Sequence, residues 1–239
     1  MLTLENVGVR YGGVDALRAV SITVETSRVL GLIGPNGAGK TTLVNATTGL
    51  AQLASGTIAL DGQRIDGLPP HRIARAGVAR TYQNIRLFGA LDVRANLAAG
   101  AFPRPGRPTT EELTALLARA GIAHADLTAQ ASSLPYGDQR RLEIARALAS
   151  APSVLMLDEP AAGMNPSETT RLVETIRAIA TSGIAVLLIE HDMTLVRAAC
   201  DSVVVLNFGQ VIARGTPSEV GRDPVVVEAY LGTGAEALA

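Results

Sequence analysis

The feature that most narrows what this chain can fold into is eight residues long. Gly34-Pro35-Asn36-Gly37-Ala38-Gly39-Lys40-Thr41 follows the apolar run Val29 to Ile33 and leads into a helical segment from Thr41. That is the G-x-x-x-x-G-K-[ST] pattern in its strand-to-helix setting. Glycines let backbone N–H groups converge on phosphate oxygens, and a helix N-terminus adds positive partial charge. Lys40 would reach the outer phosphates as a compact point charge, and the Thr41 hydroxyl would serve Mg²⁺. The expectation is an α/β protein that binds a nucleoside triphosphate along Gly34, Pro35, Asn36, Gly37, Ala38, Gly39, Lys40, Thr41 and the adjoining Thr42.

Composition adds one telling detail. The 21 basic residues are 20 Arg and a single Lys, and that Lys is Lys40. Guanidinium is a broad planar fork, whereas a phosphate loop encloses a compact ammonium. The 22 acidic residues bring the formal charge to −1, which offers no footprint for nucleic acid or anionic lipid. One Cys cannot form an internal disulfide, and no Cys/His cluster has metal-ligand spacing. Met1 to Val9 alternates in polarity rather than showing a signal pattern, and stretches such as Ile184 to Ile189 are too short to span a bilayer. The expectation is a reduced, cytoplasmic chain whose membrane role, if any, comes through a partner.

Two kinds of strand are legible. Leu2 to Val7, Ser21 to Glu25 and Thr57 to Leu60 alternate in polarity, as antiparallel pieces with one solvated face do. Val29 to Ile33, Val154 to Leu157, Ala185 to Ile189 and Val203 to Leu206 are short continuous apolar runs, suited to a parallel sheet covered on both faces. After the linker-like Phe102 to Pro108, Thr109 with Glu112 forms a capping box for a helix closing near Gly121. Asn165-Pro166 opens another, with Gly183 at its far end. A third is expected over Gln139 to Ala149, with Tyr136-Gly137-Asp138 preceding it.

The run Val154 to Leu157 delivers Asp158 and Glu159. Adjacent carboxylates at a strand end are often only a solvated loop start. Beside a phosphate loop they suit Mg²⁺ binding through water by Asp158 and polarisation of an attacking water by Glu159. His191 stands past the Ala185 to Ile189 run, at the sheet edge where ligands bind, or as a loop histidine of no consequence. Tyr11, beside Gly12-Gly13, reads equally as a surface-strand tyrosine.

Gly34 to Thr41, Gln83, Leu134-Pro135-Tyr136-Gly137-Asp138-Gln139-Arg140-Arg141, Asp158-Glu159 and His191 occur in the order found in ATPase subunits of ABC transporters. They resemble the Walker A, Q-loop, signature, Walker B and switch-histidine motifs, and the resemblance spans essentially the whole chain. Arg80-Thr81-Tyr82-Gln83, Leu142-Glu143-Ile144-Ala145-Arg146, Asp158 to Pro166 and the tail Gly215-Thr216-Pro217 with Ala229-Tyr230-Leu231-Gly232 are similar to the branched-chain amino acid importer (LivG-type) branch.

The resemblance implies a P-loop NTPase with a RecA-like mixed sheet core, an antiparallel β subdomain and an inserted helical subdomain. The whole chain, 1–239, would be one domain, with the core in 1–83 and 150–239 and the helical part in about 84–149. It implies two ATPase subunits, in a homo- or heterodimer, sandwiching two ATP, each site pairing one phosphate loop with the partner's signature (Tyr136, Gly137, Asp138). Two transmembrane permease subunits and, indirectly, an external solute-binding protein would complete the importer, placing the chain on the cytoplasmic face of the cell membrane. Tyr11 would stack on adenine, Gln83 would meet both Mg²⁺ and the water, and His191 would join Glu159 and Lys40 in catalysis. Leu87, Phe88 and Leu91 would receive a permease loop, although ordinary core packing explains each of them as well.

Three departures stand out. The signature has Pro135 where the superfamily usually has Ser, and Asp138 where it usually has Gln. Proline has neither hydroxyl nor N–H, and a carboxylate near a triphosphate opposes binding unless it is turned away. Nucleotide-driven dimerisation weaker than in a Ser/Gln version is therefore expected. Asn165, in place of a commoner Asp, agrees with the branched-chain branch. Other readings are an importer for urea or another amino acid, a soluble ABC-type ATPase of DNA repair or the ribosome, and a nucleotide-binding module without turnover. Lys40 to Tyr136 leaves no room for the long coiled coil of repair members, a single phosphate loop argues against ribosomal ones, and Glu159 with His191 argues against a module without turnover.

Overall fold

The computed structural model describes residues 1–231. Gly232 of the tail motif, and the rest of the expected domain to 239, lie outside the described residues. The strands sort into two sheets as their patterning anticipates. β1 (Leu2–Tyr11), β2 (Val14–Val24), β4 (Ser55–Leu60) and β5 (Gln63–Arg64) form an antiparallel sheet in the order β2-β1-β4-β5. β3 (Val29–Ile33), β6 (Val78–Arg80), β7 (Val154–Asp158), β8 (Ala185–Ile189), β9 (Ser202–Asn207) and β10 (Gln210–Gly215) form the second, in the order β10-β9-β3-β8-β7-β6. Its neighbours run parallel except β10 against β9, so the sheet is mixed.

β3 lies between β8 and β9, buried along its whole length. Its side chains divide with period two. Val29 and Ile33 join the core under α3 (Val93–Gly100), α4 (Thr110–Arg119), α5 (Tyr136–Leu148), α6 (Pro166–Thr181) and α7 (Met193–Ala199). Leu30 and Leu32 join the second core, shared with the antiparallel sheet and with Leu43, Val44 and Ala46 of α1 (Lys40–Thr47). A strand buried on both faces cannot slip register without exposing one whole set of side chains. The ends of β3, β7 and β8 are therefore held level, with Leu32 opposite Ile189 and Ile189 opposite Asp158. The loops leaving those ends carry the motifs. α2 (Pro70–Ala76), α8 (Pro217–Val220) and α9 (Pro224–Leu231) complete the described helices. None of the described helices is long and apolar enough to cross a membrane.

The Thr109/Glu112 capping box forms, α6 opens at Asn165-Pro166 as expected, and the structure adds capping boxes of Asn165 with Glu168 on α6 and Thr216 with Glu219 on α8. One boundary differs from expectation. α5 begins at Tyr136, so Tyr136, Gly137 and Asp138 are its first turn rather than a preceding loop. Pro135 takes the extended cap conformation (φ −53°, ψ 150°) and the chain becomes helical immediately afterwards. Glycine disfavours helix by about 1 kcal/mol, but Gly137 is buried where a Cβ would come within 2.6 Å of Glu168 Oε1. Packing decides the boundary there.

Candidate functional site

The loop from Gly34 to Gly39 is shaped by backbone contacts that only glycine can make. At Gly34 (φ 147°) a Cβ would lie 2.1 Å from the Leu206 carbonyl oxygen of β9. At Gly39 (φ 106°) it would lie 2.9 Å from the Ala16 carbonyl. Gly37 (φ 81°) has the left-handed backbone but no atom within 4 Å of its Cβ position, so there the loop borders open space. Gly39 is the N-cap of α1 and supplies no side-chain cap, so the helix presents its first N–H groups and positive dipole end unmodified. Lys40 folds back along the loop, its Nζ donating to the carbonyls of Gly34 and Pro35. Burial holds its ammonium below the usual lysine range, while Glu159 and Asp158 pull it upward.

The β7 carboxylates stand alongside. Asp158 is buried, its N–H donates to Thr81 Oγ1 at 3.3 Å, and its Oδ2 accepts from Arg80 Nη2 at 3.3 Å. Burial raises the Asp158 carboxyl above the ordinary range; Arg80 opposes this and Glu159 adds to it. Arg80 is itself aimed from two further sides, donating to Asn45 Oδ1 of α1 at 2.8 Å and lying 4.5 Å over the Tyr82 ring.

Glu159 has a left-handed backbone (φ 46°), uncommon for a non-glycine residue and held here by its N–H donating to Ile189 O at 2.9 Å. The turn aims its carboxylate at two side chains. Gln83 Nε2 donates to Oε2 at 2.9 Å, and His191 Nδ1 lies 3.8 Å from Oε1. Behind them Glu190, buried and raised by desolvation, accepts from the N–H groups of Ala161 and His191 and so fixes both loops.

A cleft of about 460 Å³ runs along the loop. Asn36 to Thr42 line one wall, Gln83 and Glu159 one end, and Val14 to Ala16, Arg18, Phe208 and Gly209 the rest. Tyr11 is half-exposed and not among the lining residues, but it pairs in register with Val14, which is.

The signature segment is built from side chains. Tyr136 donates to Ala162 O at 3.0 Å, with its ring against Gly163. Asp138 Oδ2 lies 2.9 Å from His124 Nε2. One turn on, the buried Arg140 donates to the carbonyls of Tyr82 and Gln83 and pairs with Glu143 at 3.3 Å. Glu143 accepts the Arg86 N–H at 3.2 Å, and Arg146 donates to the Arg86 carbonyl. α5 thus grips the Gln83 loop through its backbone. Lys40, Gln83, Glu159 and His191 are brought to one cleft or its edge. Tyr136, Gly137 and Asp138 lie on α5, outside the lining of that cleft.

Arg80, His124, Arg140 and Glu190 escape the sequence reading as positioning groups. Arg80 belongs to the run Arg80 to Gln83, but nothing in the one-dimensional pattern shows which carboxylate it faces. The donors suit the groups the site implies. The open α1 terminus, the lysine and the glycine cradle fit a polyphosphate. The Thr41 hydroxyl, Gln83 amide and Asp158 carboxylate are hard oxygen donors of the kind Mg²⁺ takes. Among the described residues no group of three or more His, Cys, Asp or Glu gathers as a metal cage, and an ion shared with phosphate oxygens and water does not require one.

A loop that only glycine can thread, opening onto an uncapped helix, makes this a phosphate-loop nucleotide-binding protein. A family model described as ABC transporter matches residues 17–162. The chain belongs to the ABC transporter family and is one of its ATPases. A second model, described as branched-chain amino acid ATP-binding cassette transporter, matches residues 210–236. Among curated relatives, the high-affinity branched-chain amino acid transport ATP-binding protein BraF of Pseudomonas aeruginosa is 43% identical, over 97% of this chain and 98% of its own. LivG of Escherichia coli K12, named for the same transport, is 41% identical with the same coverage. A solved ATP-binding cassette of an ABC transporter, MJ1267 in its ADP conformation, superposes with a TM-score of 0.87 at 30% identity, covering 97% of this chain and 98% of that one.

Proposed function

We propose that this chain is the ATP-hydrolysing subunit that powers an importer of branched-chain amino acids. The geometry that carries hydrolysis is the convergence on Glu159. Its carboxylate lies at the cleft, held by Gln83 at 2.9 Å and faced by His191, beside a phosphate loop with its lysine folded in. Likeness to BraF and LivG along the full length supports the cargo, and so does the C-terminal match.

In this reading Gly34 to Thr42 bind the triphosphate through backbone N–H groups, and Lys40 neutralises its outer oxygens. Thr41, Asp158 and Gln83 would hold Mg²⁺, which would supply charge neutralisation to the reacting phosphates. Glu159 accepts the proton of the attacking water, and His191, with Nδ1 3.8 Å from Glu159 Oε1, stands beside it to orient the reacting groups. Tyr11 offers its ring to the purine. The helical part, about 84–149, presents its signature to the nucleotide of a second subunit, so that hydrolysis opens and closes a dimer.

Two permease subunits turn that motion into alternating access, and an external binding protein delivers cargo, which places the chain on the cytoplasmic face of the membrane. Phe88 and Leu91, exposed where soluble proteins rarely leave neighbouring large apolar groups, mark the permease-facing surface. The test is co-purification with the permease, then ATP-dependent uptake in proteoliposomes. Leucine, isoleucine and valine are expected to be carried. Uptake of urea or a polar amino acid alone would overturn the cargo assignment and leave the ATPase standing.

A further inference from the structure

Four helices carry an acidic residue at the third position of the first turn: Glu112 in α4, Asp138 in α5, Glu168 in α6 and Glu219 in α8. In three of them the carboxylate reaches back to the N–H of its own cap residue, at 2.8 Å on Thr109, 2.9 Å on Asn165 and 2.7 Å on Thr216. The helix end is thereby closed by its own anion. α5 cannot do this. Its cap residue is Pro135, which has no N–H to offer and no side-chain oxygen to cap the turn, and α5 has no side-chain cap.

A carboxylate left at such an end would compete with an incoming anion for the helix dipole. Asp138 is instead drawn sideways, its Oδ2 2.9 Å from Nε2 of His124, on the loop after α4. An ionised carboxylate only accepts, so the imidazole Nε2–H donates. The other charged groups at this end are already engaged. Glu168 accepts from Asn165 N–H and closes its own helix, and Arg141 donates to the carbonyls of Gly121 and Glu168. Among the described residues, His124 is the hydrogen-bond partner of the Asp138 side chain.

We propose that His124 is a positioning residue of the signature. It takes up the Asp138 carboxylate and keeps the first turn of α5 open for the triphosphate held by a second copy's phosphate loop. Pro135 and Asp138, separate departures in the sequence, then form one device with His124. Proline removes the internal capping site and the histidine removes the carboxylate from competition. This rests on the proposed pairing of signature and phosphate loop across a dimer.

The experiment uses the full chain in a Glu159→Gln background, following ATP-dependent dimerisation by sedimentation and ATP binding to the dilute monomer by a fluorescent ATP analogue. His124→Ala is expected to raise the ATP concentration for half-maximal dimerisation about tenfold, the scale of one charged hydrogen bond. Monomer binding should be unchanged, because the monomer's own phosphate loop is untouched. Adding Asp138→Asn to His124→Ala should restore dimerisation to within about twofold of the parent, since no carboxylate then needs holding. A shift of less than twofold on His124→Ala would overturn the proposal, as would a loss that Asp138→Asn does not repair. A parent that binds ATP but never dimerises would remove the underlying pairing and the role of His124 with it.

Discussion

Among the described residues, α1 and α5 begin without side-chain caps, the proposed function assigns both ends to the nucleotide, and they are held by opposite means. At α1 the device is backbone. Gly34 is pressed against the Leu206 carbonyl and Gly39 turns the chain with φ 106°, while the level ends of β3, β7 and β8 fix the loop's surroundings. At α5 the device is side chains. Pro135 denies a cap, His124 takes Asp138, and Arg140, Glu143 and Arg146 grip the loop carrying Gln83. α2, also uncapped behind Pro69, is different in kind, because its exposed first turn begins with Pro70, which has no N–H, and Arg72 N–H donates to Pro69 O at 2.9 Å. A site fixed by sterics tolerates no substitution, whereas one fixed by pairings can be adjusted one pair at a time. The nucleotide-holding half is therefore the rigid part and the signature half the adjustable one.

Substitutions can break that contrast at either end. The largest effect is expected at the loop. Lys40→Arg should cut ATP turnover about a thousandfold, the scale of one lost electrostatic contact in an active site, with the melting temperature unchanged. Next comes Arg140→Ala, which takes a buried guanidinium from Glu143 and from the Tyr82 and Gln83 carbonyls and should cost about 3 kcal/mol in denaturant unfolding. If it cost under about 1 kcal/mol, the grip of α5 on the Gln83 loop would not be structural. Arg80→Lys keeps a charge beside Asp158 but loses the planar fork that also reaches Asn45. A drop of roughly tenfold in turnover is expected, by analogy with removal of outer-shell partners of metal ligands. The smallest is Thr109→Ala, which opens the α4 capping box and should cost about 1 kcal/mol in stability with turnover unchanged. That result would set ordinary capping apart from the open ends.

The same contrast explains how much could be read beforehand. The phosphate loop, the buried strands, the Thr109/Glu112 capping box, the helix start at Asn165-Pro166 and the carboxylates at the end of β7 are backbone-level features. Each depends on residue types at fixed spacing, and spacing survives in one dimension. The α5 boundary is not legible in sequence, because Gly137 argues against helix locally and only its packing against Glu168 overrides that preference. The partners of Asp158, Asp138 and Gln83 lie 78, 14 and 57 residues away in sequence. No periodicity connects such pairs. Arg80 and Arg140 were visible as residues of motif-bearing runs, but not as the groups that aim the acid and the glutamine.

Glu159, turned into the cleft by its left-handed backbone and held by Gln83, makes this chain an ATPase. The direct measurement is steady-state phosphate release by the purified full-length chain and its Glu159→Gln variant, at saturating ATP and Mg²⁺, with ATP binding measured in parallel. Phosphate release is expected to fall at least about a hundredfold while ATP binding is retained. Equal phosphate release from the two proteins would contradict that role of Glu159.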